Sequence, residues 1–345
     1  MNLLRTIMYR WALAAVALLS LAGHAGAQHA GYRTLTVAGD APMTVGLFYP
    51  TAVPARILPM GPWQPLVAPG APPAEAQLKG LILLSHGTGG TELNHHNLAT
   101  RLARDGYLVA AVRHPGDNWQ DRSLITSGRY FSERPRQLSR VLDALLANPE
   151  WSTRIPVDRI GAVGHSAGGY SVLALAGAQA EPQRSAQHCS TVQDDPGYCS
   201  LAKGPAGTEA SGVQAAPAAS ATAPEARRVS VPDRRIRAVV ALAPMAVVFT
   251  PESLAAITVP VRVIVAERDA VLKGKYHGGY VVANLPRAQA STVTGAGHFA
   301  FMAQPTFSLP SAAGDAAANP PGFDRVAFRP ELENQIAEFF ADQWR

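Results

Sequence analysis

The chain has 345 residues, 47% hydrophobic and 16% charged, with 30 basic and 25 acidic side chains giving a net charge of +5. It is too apolar to be disordered, and its 30 glycines and 28 prolines fall far short of a collagen-like or low-complexity composition. No Lys/Arg run exceeds two residues, so charge favours neither a nucleic-acid partner nor an anionic membrane surface.

The first residues predict a targeting segment. Arg5 and Arg10 give a positive start, residues 11–22 are almost wholly apolar, and Ala25-Gly26-Ala27 is a small-residue cleavage pattern. The expected division is a signal peptide over 1–27, removed after Ala27, and one domain over 28–345. The apolar run is too short to span a bilayer comfortably. No later stretch reaches 18 uninterrupted apolar residues, so no integral membrane segment is expected after cleavage. The expected destination is the periplasm or the exterior. In an oxidising compartment Cys189 and Cys199, the only cysteines, predict one disulfide. Its short loop would contribute about 2–3 kcal/mol.

Strand-like and helix-like blocks then alternate. Residues 34–37 and 43–49 read as early strands. Residues 50–76 hold eight prolines and predict a long loop. Residues 81–84 are a continuous apolar run, the mark of a strand buried on both faces, and 108–112, 160–163, 236–242 and 261–265 read as further strands. A helix beginning near Leu98 and ending near Gly106 follows the first of these. Another over 132–147 places Leu138, Val141, Leu142 and Leu145 on one face. A third follows Ser166. Residues 292–294 predict a last short strand, and Pro330 a final helix with Leu332, Ile336, Phe339 and Phe340 on one side. The alternation predicts an α/β fold, a mainly parallel central sheet with helices on both faces. Residues 180–232 break the rhythm and predict a flexible insertion, the cysteine pair stapling its more ordered part. A second soft segment is expected near 308–319.

Gly164-His165-Ser166-Ala167-Gly168 matches G-x-S-x-G between a buried strand and an apolar helix, the context that motif requires. Serine needs a base. His298, in Gly295-Ala296-Gly297-His298-Phe299, lies on a loop that glycines leave free to swing. The imidazole needs a carboxylate, and Asp269 follows the strand at 261–265. Glu267 is its nearest rival, and Asp117 is expected to be structural or cleft-lining. The backbone N–H groups of Thr88 and Ala167 are the expected oxyanion donors. His86, Gly87 and His165 flank these motifs and are expected at the substrate, the two histidines reading as orienting or packing groups. His114 ends a strand and could line the cleft. His29, His95, His96, His188 and His277 are expected at the surface or behind the site. No histidine spacing suits a metal centre, and none is expected.

Together these segments resemble the α/β-hydrolase superfamily. More narrowly, the chain resembles bacterial predicted dienelactone hydrolases, relatives of platelet-activating-factor acetylhydrolase. The resemblance rests on LILLSHGTGG (81–90), DGYLVAAVRHPGDN (105–118), RPRQLSRVLDALL (134–146), DRIGAVGHSAGGYSVLALAGA (158–178), RIRAVVALAP (235–244) and VTGAGHF (293–299). It implies a serine hydrolase with no cofactor. Two features depart from the pattern. Dienelactone hydrolases proper carry a cysteine where Ser166 stands. The platelet-activating-factor enzymes carry their acid one strand earlier, where this chain reads Ala241-Leu242-Ala243-Pro244.

The expected activity is cleavage of carboxylic esters, the partner a small-molecule, lipid or polymer ester. The same residues could serve a phospholipid acetyl ester, polyester, lactone or amide. A non-catalytic binding protein on this scaffold, or a metal-dependent hydrolase, are the readings from other classes. Oligomeric state is not legible.

Overall fold

A computed structural model of the protein describes residues 29–202 and 228–345. The expected signal segment and residues 203–227 of the expected insertion lie outside the described residues.

The chain opens with an antiparallel pair, β1 (His29–Val37) and β2 (Met43–Thr51), both longer than the sequence suggested. The proline-rich stretch is not all loop. It contributes β3 (Arg56–Ile57) and β4 (Leu66–Pro69), and β4 pairs parallel to β1. Proline is tolerated at such a sheet margin, where a missing N–H breaks no central ladder. Then come β5 (Leu81–Ser85), α1 (His96–Arg104), β6 (Leu108–Arg113), α2 (Tyr130–Ala147), α3 (Pro149–Ser152), β7 (Ile160–His165) and α4 (Ala167–Leu175). An excursion carries α5 (Gln183–Thr191) and α6 (Pro196–Ala202). The chain resumes with β8 (Ala238–Leu242), α7 (Pro251–Ala255), β9 (Val261–Ala266), α8 (Gly278–Asn284), β10 (Gln289–Val293) and α9 (Arg325–Gln343).

Ten strands form one sheet in the order β10-β9-β8-β7-β5-β6-β2-β1-β4-β3. The stretch from β6 to β10 is parallel throughout. Alternate side chains of the apolar runs enter opposite layers. Leu81 and Leu83 pack with Leu138, Val141 and Leu142 of α2. Ile82 and Leu84 pack with Leu98 and Leu102 of α1 and with Ile336 and Phe340 of α9. Burial on both faces is what unbroken hydrophobic strands require.

Two prolines sit inside helices. Pro135 of α2 cannot bond the carbonyl of Phe131, which instead accepts from the Tyr170 hydroxyl at 2.7 Å. Pro330 does not open α9 as expected. Asp324 caps that helix six residues earlier, its Oδ1 accepting from the N–H groups of Val326 and Ala327 at 2.9 and 3.0 Å. The segment near 308–319 also holds structure, a short ladder between Pro310–Ser311 and Gly314–Asp315.

The excursion after α4 is anchored at its base. Ala180 and Val229 exchange both backbone hydrogen bonds, at 2.9 and 2.7 Å. Its described half is helical rather than loose, and the Cys189–Cys199 disulfide joins α5 to α6 as expected. Among the described residues no helix is long and apolar enough to cross a membrane.

Candidate active site

The site lies beyond the carboxyl ends of β5, β7 and β9, where open α/β sheets place ligands. Ser166 joins β7 to α4 with φ 58 and ψ −119, a region few side-chain-bearing residues occupy. Close packing enforces the turn. A Cβ on Gly164 would sit 2.1 Å from the Gly168 carbonyl oxygen, and one on Gly168 would sit 2.0 Å from that of Ser85. The Ser166 carbonyl accepts from the N–H groups of Tyr170 and Met245 at 3.1 and 3.0 Å. The Ser166 hydroxyl makes no hydrogen bond to a described residue.

The structure brings Asp269 and His298 together. His298 Nδ1 donates to Asp269 Oδ2 at 2.7 Å. The other carboxylate oxygen accepts from the N–H groups of Val271 and Leu272 at 2.9 and 2.7 Å. With Nδ1 committed, His298 Nε2 is the ring nitrogen left for chemistry. Glu267 points elsewhere, accepting from the Gly295 N–H at 2.7 Å and so bracing the loop of His298.

Thr88 and Ala167 carry backbone N–H groups that no described residue accepts. Gly87 holds this loop against the serine, for an added Cβ there would lie 3.1 Å from Ser166 Cβ. Asp117 is structural and fully buried. Its Oδ1 takes the Gly89 N–H at 2.8 Å, and its Oδ2 takes the Tyr130 hydroxyl at 2.9 Å and the Arg134 guanidinium. Because the Tyr130 hydroxyl donates to Asp117, the Thr88 hydroxyl donates to Tyr130, at 3.0 Å. Arg134, which the sequence reading missed, also donates to the His86 carbonyl at 2.5 Å.

Two residues expected to touch substrate face protein instead. His86 donates from Nδ1 to the Gly87 carbonyl at 2.6 Å and accepts from the His114 N–H at 3.2 Å. His165 donates from Nε2 to the His298 carbonyl at 2.9 Å, their rings 4.7 Å apart. Burial, with nearby cationic and imidazole groups adding to it, holds His86, His114 and His165 well below the usual histidine range. His114 does not line the cleft but bonds Ser85 and Gln137. His95, His96 and His277 are buried, not superficial. Burial pushes His95 down to about 4 and His96 to about 3.

A cavity of about 390 Å³ opens beside Ser166. Thr88, Ile125, Phe131, Met245, Leu272 and the disulfide are among its walls, and none of the lining residues is ionisable at neutral pH. Among the described residues no cluster of three or more His, Cys, Asp or Glu could hold a metal ion.

No curated protein matches the chain. Its fold is similar to that of a ferulic acid esterase from Streptomyces cinnamoneus, with a TM-score of 0.60 at 20% identity over 92% of this chain and 91% of that one. A sequence model described as the alpha/beta hydrolase family matches residues 81–308, well over half of the sequence. The chain is a member of the alpha/beta hydrolase family.

Proposed function

We propose that this protein is an exported carboxylic-ester hydrolase that works through an acyl-enzyme on Ser166. The observation that carries the reading is the hydrogen bond from His298 Nδ1 to buried Asp269, beside a serine held at a strand-to-helix turn. The likeness of fold to an esterase is in keeping with it. Ser166 Oγ attacks the ester carbonyl carbon while His298 Nε2 takes its proton, and Asp269 stabilises the imidazolium that forms. The N–H groups of Thr88 and Ala167 receive the oxyanion, helped by the positive end of α4. His298 then returns the proton to the departing alcohol. A water, deprotonated by the same imidazole, releases the acid and restores the serine. Export is supported by the segment at 1–27 and by the disulfide.

The test is a fluorophosphonate titration followed by mapping of the labelled peptide. The label is expected on Ser166, and Ser166→Ala is expected to lower p-nitrophenyl ester turnover by about 10⁶-fold with little change in unfolding temperature. Turnover that survives the substitution would reject the assignment.

A further inference from the structure

Asp195 lies between the two cysteines, on the turn joining α5 to α6, and its carboxylate is fully buried. Its Oδ2 accepts from His188 Nε2 of α5 and from His277 Nε2 ahead of α8, each at 2.9 Å. Its Oδ1 accepts from the backbone N–H of Lys273 at 3.2 Å. The tautomer of His277 is fixed, because its Nδ1 accepts from the Ala246 N–H at 3.1 Å and the proton must sit on Nε2.

These contacts reach three parts of the site. Through His188 they hold α5, which with α6 forms the disulfide-joined wall of the cavity. Through Lys273 they hold the loop that begins at Asp269, whose Oδ1 is bonded to Val271 and Leu272. Through His277 and Ala246 they hold the segment in which Met245 lines the cavity and bonds the Ser166 carbonyl. Nearby packing leaves no slack. A Cβ on Gly197 of α6 would meet the Val271 carbonyl oxygen at 2.6 Å.

The wall itself is suited to apolar groups. Its tyrosine hydroxyls are already committed, Tyr130 to Asp117 and Tyr198 to Ser185 at 2.6 Å. A charged substrate group would enter without a counter-charge, at high desolvation cost.

We propose that Asp195 is a positioning residue that keeps the cavity wall, the Asp269 loop and the segment under Ser166 in one register, so that uncharged esters with an extended apolar acyl group are selected over short ones. This rests on the serine-hydrolase reading above.

The experiment compares kcat and KM for p-nitrophenyl acetate and p-nitrophenyl hexanoate in the unsubstituted protein, Asp195→Ala, Asp195→Asn and His188→Ala. Each is first titrated with fluorophosphonate to count active serines. The unsubstituted protein is expected to favour hexanoate by about tenfold or more in kcat/KM, the order that one well-packed methylene in an apolar pocket can supply. Asp195→Ala is expected to lower kcat/KM for hexanoate about 100-fold, as for a small misplacement of reacting groups, and to erase the preference. Asp195→Asn, which keeps one acceptor oxygen, should fall between. His188→Ala leaves the carboxylate with two partners, so it tests the wall even where Asp195→Ala does not fold. It is expected to shrink the hexanoate-to-acetate ratio mainly through KM. Equal losses on both esters in every variant, or no preference in the unsubstituted protein, would overturn the proposal. Failure of fluorophosphonate to label Ser166 in the unsubstituted protein would instead overturn the reading on which it rests.

Discussion

The cavity has two walls, and each is organised around a buried carboxylate whose charge is met differently. On the Thr88 side, Asp117 faces the guanidinium of Arg134, both side chains having no exposed surface. On the disulfide side, Asp195 faces two imidazoles and a backbone N–H. Burial works to raise the Asp195 carboxyl, but the hydrogen bonds it accepts from His277, His188 and the Lys273 N–H outweigh it and hold it below the usual range. The first wall grows from β5, β6 and α2, which the sheet already fixes. The second is an excursion outside the sheet. The contrast teaches that a wall built on the sheet can meet its buried carboxylate with a full cation beside neutral donors. An unscaffolded helix pair needs several weaker contacts and a covalent bond.

Acid should separate the walls with the largest effect. Burial lowers His277 as well as His86, His95, His96, His114 and His165, so these stay neutral in the fold. The unfolded chain protonates its histidines near pH ~6.5 and so binds more protons below that pH. Stability is therefore fully present above it and is lost as pH falls. His95, pushed down to about 4, accounts alone for about 2 kcal/mol at pH ~5. Thermal unfolding should drop well below its neutral value at that pH, with hydrogen exchange showing α5 and α6 opening before β5. A constant unfolding temperature between pH ~7.5 and ~5 would contradict this.

Arg134→Met probes the other wall. It leaves Asp117 buried without its cation, a loss of about 3–5 kcal/mol in denaturant unfolding. Ester turnover should fall with it as Thr88 loses its brace. Next in size, replacing Cys189 and Cys199 together by serine should cost about 2–3 kcal/mol and widen the hexanoate KM more than the acetate KM. The smallest effect belongs far from both walls. Arg33, paired with Glu150 at 2.9 Å where both are partly exposed, should contribute under about 1 kcal/mol to unfolding when its charge is removed.

Much of this was legible in the sequence, for reasons that lie in particular residues. The run Leu81 to Leu84 could only be a strand covered on both faces, and Gly164 and Gly168 announced the turn at Ser166. Asp269 was legible because it follows such a strand, and His298 because glycines precede it on a loop after the last strand. The proline count of 50–76 concealed β3 and β4, since pairing at a sheet margin has little sequence periodicity. α5 was hidden because none of its residues is fully buried, so no apolar stripe marks it. The apolar stripe of α2 was legible, but nothing local said that Arg134 turns inward to Asp117. The histidines misled most. Their type suggests a cleft, whereas His86 and His165 serve as neutral hydrogen-bonding pieces of the core. Asp195 had one available signal, a carboxylate set between two cysteines.

The backbone at Ser166, at φ 58, opposes the residue it carries. Glycine would occupy that conformation freely, recovering strain of about 1–3 kcal/mol against about 0.5–1 kcal/mol of added chain entropy. On the proposed mechanism a sturdier glycine variant would be an inert one, so stability and turnover would pull this corner in opposite directions.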